Sequence, residues 1–215
     1  MKRLEILAHR GLWNELNLSN SIESLYLALS KGYGVEFDLR DYRGEIVISH
    51  DIADELSPTF HSFLDMIKDF INSKPLALNV KADGLQNLLI HQLQSFNLSN
   101  YFLFDMSFPE TIKYRRLNLN YFTRVSDYEC YCYDAKSSGL WVDCFESDFT
   151  NFNLLQSISE SGKQFVFVSP ELHKRPHLTF WKSLKVWLDQ NPIEMRNNTM
   201  ICTDFPERAE EYFNE

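Results

Sequence analysis

Residues 4–8 (LEILA), 20–31 (NSIESLYLALSK) and 33–39 (YGVEFDL) form the stretch that decides the fold, because they predict a strand, a helix and a second strand. Asn20 can cap the helix, and Glu23 stands at the capping-box position. A strand, a helix and a further strand in this order are typical of parallel strands joined by a right-handed crossover.

The same alternation continues to the end of the chain. Further strands are predicted at Leu76–Val80 and near 101–105, 121–125, 140–144, 165–168 and 200–203, and helices at His61–Ile71, Leu85–Leu93 and Leu178–Leu188. Residues 45–49 pair with strand 33–39 as a hairpin, since the link between them is too short for a helix. Eight strands then remain, which predicts an α/β single domain over residues 1–215 with a closed (β/α)8 TIM barrel. An open doubly wound sheet is the alternative that alternation alone leaves open.

Charge and hydropathy exclude several classes of partner. The 215 residues carry a formal net charge of -9, which argues against broad nucleic-acid binding because that function needs a basic surface. No apolar stretch of about 18 residues occurs, so no stable membrane insertion is expected. The first apolar run is too short for a signal peptide and Glu5 interrupts it, which predicts a cytoplasmic protein.

Two carboxylates and two histidines stand at or near the ends of predicted strands. Glu36 and Asp38 are two residues apart on a strand, so they share a face, and a hard cation such as Mg²⁺ or Ca²⁺ takes oxygen ligands of this kind. His9 and His50 are candidates for general acid–base chemistry, because imidazole titrates near neutral pH. A salt-bridged strand end and structural histidines are the competing interpretations of these residues taken singly.

Cationic and amide side chains accompany these groups. Arg10 offers a fork of donors for phosphate oxygens and Lys81 a compact positive charge, although either can be an ordinary surface charge. Asn79 shares a face with Lys81. The glycine-rich nucleotide-binding motifs and the G-x-S-x-G motif are missing from the sequence, which disfavours nucleotide-dependent transfer and serine-esterase chemistry.

The residues and their order resemble the signature of the glycerophosphodiester phosphodiesterase family within the phospholipase C-like phosphodiesterases. The matching residues are His9-Arg10-Gly11, Asn20-Ser21, Glu36-Phe37-Asp38, His50-Asp51, Asn79-Val80-Lys81 and Thr203-Asp204-Phe205-Pro206. The resemblance covers nearly the whole chain, and the spacing of its first four elements makes it specific.

The resemblance implies a distorted (β/α)8 barrel with a small hairpin extension after the second strand, and metal-dependent hydrolysis of a phosphodiester to an alcohol and glycerol phosphate. Glu36, Asp38 and the Asn79 position would hold one divalent ion, Mg²⁺ or Ca²⁺, with Mn²⁺ as a further candidate. His9 and His50 would be the catalytic acid and base, and Arg10 and Lys81 would bind the phosphate. The substrate would be a small molecule or a phosphodiester from a glycan or lipid head group.

Asn79 is the main departure, because the family has Glu at this position. A neutral amide predicts weaker metal binding, and Asp105 or Asp143 are candidates for the missing carboxylate. These departures leave two alternatives open: a lyase that forms a cyclic phosphate on the same scaffold, and a barrel that binds a phosphorylated ligand without turnover. The loop 171–177, with Glu171, His173, Lys174, Arg175 and His177, is a further hypothesis, as a binding site for an anionic or sugar-like part of the substrate.

Overall fold

The computed structural model describes residues 3–14, 18–131, 134–159 and 162–214. These residues form two compact units. We call residues 8–121 the N-terminal unit, and residues 3–7 together with 122–214 the C-terminal unit. Strand β1 (Glu5–His9) contributes its first three residues to the C-terminal unit and its last two to the N-terminal unit.

The N-terminal unit holds the strands that carry most of the predicted site residues. Its elements are α1 (Ile22–Ser30), β2 (Gly34–Tyr42), β3 (Glu45–Ile48), α2 (Phe60–Met66), a 3₁₀ turn (Lys68–Phe70), β4 (Leu76–Val80), α3 (Gln86–Ser95), β5 (Tyr101–Phe104) and α4 (Phe108–Arg116). Strand β4 pairs in parallel with both β2 and β5, and β3 pairs antiparallel with β2. The predicted hairpin is therefore confirmed.

The C-terminal unit continues the alternation. Its elements are β6 (Phe122–Val125), β7 (Gly139–Val142), α5 (Phe152–Ser159), β8 (Gln164–Val168), a 3₁₀ turn (Pro170–His173), α6 (Leu178–Gln190), α7 (Ile193–Asn197), β9 (Thr199–Thr203) and α8 (Pro206–Asn214). The four strands pair in parallel in the order β6, β7, β8, β9. Between β6 and β7 the described residues contain no helix, so one crossover departs from the regular pattern.

Eight strands, β1, β2 and β4–β9, thus alternate with helical connections, and β3 is an added hairpin strand. The fold class is the (β/α)8 barrel that the sequence predicts. The single domain over residues 1–215 stays a prediction. None of the helices in the described ranges is long and apolar enough to span a lipid bilayer.

Alternation along β2 separates its core face from its polar face. Val35, Phe37 and Leu39 are fully buried, and the Phe37 ring contacts those of Phe60 and Phe63 on α2 at centroid distances of 5.9 and 5.2 Å. Successive side chains of a strand point to opposite faces, so residues 36 and 38 lie on the other face. Packing of the apolar face against α2 therefore fixes the direction of both carboxylates.

The start of α1 differs from the prediction. Ser21, rather than Asn20, is the N-cap, and its side-chain oxygen accepts the Ser24 N–H at 3.2 Å. An N-cap residue needs extended dihedral angles, which Ser21 has, whereas Asn20 lies in the left-handed region with φ of 59°. Asn20 is thereby released for a different role.

Candidate active site

Glu36 and Asp38 form a buried carboxylate pair on β2. Only 2% of Glu36 and 1% of Asp38 is exposed. The register between β2 and β4 sets Asp38 opposite Asn79, whose amide Nδ2 donates to Glu36 Oε1 at 3.4 Å. The prediction that these three residues lie together is confirmed by this geometry, and a simple exposed strand end is excluded.

Three donors surround the Asp38 carboxylate. Arg10 Nε lies 3.1 Å from its Oδ2, and Lys81 Nζ lies 3.6 Å from its Oδ1. Asn20 Nδ2 donates to Oδ2 at 2.9 Å, and Asn20 Oδ1 accepts the Asp38 N–H at 3.4 Å. Two positive charges and an amide thus stabilise one carboxylate that burial would otherwise make costly.

Lys81 also reaches a second carboxylate. Its Nζ lies 3.8 Å from Asp105 Oδ2, on the residue that follows β5. Asp105 has a left-handed φ of 65°, a conformation that an Asp side chain tolerates better than most residues. Asp105 therefore lies beside Lys81, while its predicted role as a metal ligand stays a prediction.

A tight turn after β1 places Arg10. Gly11 has φ of +88°, and a Cβ there would lie 2.5 Å from the backbone carbon of Ser24, so only glycine fits. The Arg10 N–H donates to Glu36 O at 2.8 Å, and the Asn20 N–H donates to Arg10 O at 3.0 Å. The His-Arg-Gly sequence is therefore a packing device that brings Arg10 to the carboxylate pair.

His9 lies beside the carboxylate pair. Its Nε2 is 3.9 Å from Glu36 Oε2, and 16% of its side chain is exposed. Trp13 Nε1 donates to the His9 carbonyl oxygen at 2.9 Å, which anchors the backbone of the turn. A histidine that is partly accessible next to a buried acid can exchange protons with a bound ligand.

His50 occupies the rim of a cleft. Its side chain is 44% exposed, its Nδ1 lies 2.9 Å from Asp51 Oδ1, and its carbonyl oxygen accepts from Arg40 Nε at 3.1 Å. His50 and Arg10 line the same cleft, of about 540 Å³, together with Asn20 and residues of the 48–58 segment. His50 therefore reaches the ligand space from the rim, and the contacts printed for it lead to neither carboxylate of the pair.

Burial and charge perturb Glu36. Burial, and next the neighbouring charge of Asp38, raise the pKa of the Glu36 carboxyl from 4.5 to about 7, against the opposing effects of His9, Arg10 and Lys81. Two carboxylates so close favour either a shared proton or an added cation. The pair is thus electrostatically incomplete without one of the two.

The donor set fits a hard divalent cation, although with one neutral ligand. Three buried oxygens in this cluster accept no hydrogen bond: Glu36 Oε2, Asp38 Oδ1 and Asn79 Oδ1. Oxygen donors of this type suit Mg²⁺ or Ca²⁺. Within the described ranges no three His, Cys, Asp or Glu side chains are arranged to hold a metal, which follows here from the amide at position 79.

The other predicted groups belong to the C-terminal unit. The Asp143 carboxylate lies 2.6 Å from His173 Nε2, and Arg175 pairs with Asp148. Glu171 accepts from the Thr203 hydroxyl and from the Asp204 N–H. Carboxylates thus pair with His173 and Arg175, while ligand binding by loop 171–177 and metal binding by Asp143 stay predictions.

Asn20 is the residue whose role the sequence analysis missed. It was assigned as a helix cap, yet it bridges to Asp38 with both ends of its amide. The adjacent Ser21 was the available signal, because a serine directly before the helix competes for the cap and leaves the preceding Asn without that role.

Fold and site together define a (β/α)8 barrel with a buried, cation-flanked carboxylate pair near the carboxyl ends of its strands. No protein-family model matches the chain, and no curated protein sequence matches it. Solved structures do match, and among them are glycerophosphodiester phosphodiesterases.

One from Parabacteroides distasonis is 16% identical, with 98% of this chain and 97% of that chain covered and a TM-score of 0.67. A phosphodiesterase from Oleispira antarctica, solved with the product sn-glycerol-3-phosphate, is 16% identical, with 99% and 98% covered and a TM-score of 0.70. One from Agrobacterium tumefaciens is 12% identical, with 94% and 97% covered and a TM-score of 0.61. At these identities the likeness concerns the fold, and it supports the predicted fold family over the whole chain.

Proposed function

We propose that the protein is a cytoplasmic phosphoric diester hydrolase that cleaves a glycerophosphodiester-like substrate into an alcohol and glycerol phosphate. The observation that carries the proposal is the cluster around Asp38, in which Arg10, Lys81 and Asn20 converge on a buried acid beside Glu36 and His9. The fold shared with phosphodiesterases supports it, and so does the glycerol phosphate bound to the Oleispira antarctica protein.

Each residue has a chemical role in this proposal. Arg10 and Lys81 bind the phosphoryl oxygens and neutralise the charge that develops on them. One histidine, His9 or His50, removes the proton of the nucleophile, and the other donates a proton to the leaving alkoxide oxygen. Asn20 is a positioning residue, because its amide holds the Asp38 carboxylate in place.

Glu36, Asp38 and Asn79 would hold one Mg²⁺ or Ca²⁺ ion, with Mn²⁺ as a further candidate. When bound, such an ion supplies Lewis-acid stabilisation of phosphoryl oxygen charge. The buried oxygens of these three residues that accept no hydrogen bond are the support for this assignment.

Two alternatives make different predictions. A lyase on this scaffold would release a stable cyclic phosphate, whereas a hydrolase releases a phosphomonoester. A binding barrel would hold glycerol phosphate without turnover, and the neutral Asn79 is the feature that favours it, because it lowers the charge of the cation site.

The test is turnover of bis(p-nitrophenyl) phosphate and glycerophosphocholine with Mg²⁺, Ca²⁺ or Mn²⁺ added in turn, with EDTA as the metal-free reference and phosphorus NMR of the products. His9→Ala and His50→Ala are each expected to lose at least about 100-fold in kcat. His91→Ala, on the exposed face of α3, is the matched control and retains full activity. Absence of turnover with every metal would leave the binding barrel, and a persistent cyclic product would favour the lyase.

A further inference from the structure

The third ligand position of the proposed cation site carries no charge. Asn79 is 6% exposed, and its Nδ2 donates to Glu36 Oε1, which leaves Oδ1 as a buried acceptor that receives no hydrogen bond. A carboxylate at this position would face Glu36 and Asp38 directly and add a third negative charge. The amide instead stabilises Glu36 by donation.

The surrounding cations lower the negative charge of the site further. Arg10 and Lys81 both lie within 4 Å of Asp38. With Glu36 and Asp38 ionised, these two carboxylates and two cations balance, so a divalent ion meets little net attraction. Affinity of oxygen sites for such ions depends strongly on the number of charged ligands.

A phosphate ester supplies what the site lacks. It brings negative charge and free oxygen atoms, and the cleft that Arg10 and His50 line gives it room beside the carboxylate pair. Lys81 keeps Asp105 as a second carboxylate partner at 3.8 Å, so Asp38 Oδ1 can bind an ion without leaving the ammonium group unpaired.

We propose that the divalent cation and the phosphate ligand bind cooperatively, and that Asn79 causes this dependence by withholding the third carboxylate. The inference rests on the proposed function, because it concerns the same site. Linkage requires reciprocity: the factor by which phosphate tightens the cation is the factor by which the cation tightens phosphate.

The experiment is isothermal titration of the whole protein with Ca²⁺ and with Mg²⁺, with and without saturating sn-glycerol 3-phosphate, with titrations of the ion into ligand alone subtracted. In the wild-type chain the ligand is expected to lower the cation Kd about tenfold or more, within the usual range of coupling between sites. Titration of the ligand with and without cation should return the same factor.

Asn79→Asp is the decisive variant, because it is isosteric and adds the missing charge. It is expected to bind the cation alone about tenfold more tightly, with a coupling factor that falls toward one. Asn79→Glu, with the longer carboxylate, should act in the same direction, and thermal melts in saturating cation check that both variants fold. Asn87→Glu, which adds the same charge on the exposed face of α3, should leave both quantities unchanged.

Equal cation affinity with and without ligand in the wild-type chain, or no tightening in either Asn79 variant, overturns the inference. Failure to detect cation binding in every variant overturns it as well. Because the readout is binding, it separates from the proposed function: coupling without turnover retains the inference and removes the hydrolase, whereas turnover without coupling does the reverse.

Discussion

Replacement of Asn20 by Ala tests the contact that places Asp38. The variant removes an amide hydrogen bond to a buried carboxylate at 2.9 Å and a weaker bond to the Asp38 N–H at 3.4 Å. A hydrogen bond to a charged group contributes about 1.5–3 kcal/mol. Ala also tolerates the left-handed φ of 59° less well than Asn, which adds roughly 1 kcal/mol.

The expected loss in free energy of unfolding is therefore about 2.5–4 kcal/mol, measured from urea transitions at unchanged m-value. Asn118→Ala is the matched control, because Asn118 is exposed and has a similar φ of 53°. It should lose only the backbone part, roughly 1 kcal/mol. If Asn20→Ala costs no more than Asn118→Ala, the Asn20–Asp38 contact contributes nothing and the reasoning is refuted.

Asn20→Gly isolates the side chain, because glycine adopts the left-handed conformation without strain. It should retain most of the loss that Asn20→Ala shows. A Gly variant as stable as the wild-type chain would instead assign the whole effect to the backbone.

Two further predictions follow from the same cluster. Gly11→Ala should lose about 3–5 kcal/mol of unfolding free energy, since its Cβ meets the Ser24 backbone at 2.5 Å; Gly84→Ala, with the same φ of +88° and nothing within 4 Å, should lose only the conformational part, and equal losses would contradict the packing argument. The raised pKa of Glu36 means that the folded chain binds a proton more tightly than the unfolded chain, so its contribution to stability is complete below about 4.5 and is lost as the pH rises through about 7. In EDTA, Glu36→Gln should flatten the pH dependence of the urea midpoint across that window, and an unchanged slope would assign the dependence to other groups.

Several features of the site follow from local sequence. The two-residue spacing of Glu36 and Asp38 places both on one face of any strand, and Phe37 between them packs with its neighbours of the other face against α2. The short link before Glu45 permits only a hairpin, as observed. These predictions succeeded because they depend on the geometry of a single strand or turn.

The predictions that needed long-range information fared less well. Asn20 was assigned as a cap from its place before a helix, but its φ and its bond to Asp38 depend on how the turn after β1 packs on β2. His50 was placed with His9 by order in the chain, whereas its exposed position on the cleft rim follows from the end of β3.

The sequence by itself determined the alternation of strands and helices, the hairpin, and the face on which the carboxylates lie, because hydrophobic periodicity and link length act within a few residues. Only the tertiary structure decided that Arg10, Asn20 and Lys81 meet at Asp38, and that the Asn79 amide donates to Glu36. These contacts join residues 18 to 43 positions apart, and they depend on strand register. A shift of one residue between β2 and β4 would turn Asn79 to the opposite face, and the periodicity of either strand alone does not fix that register.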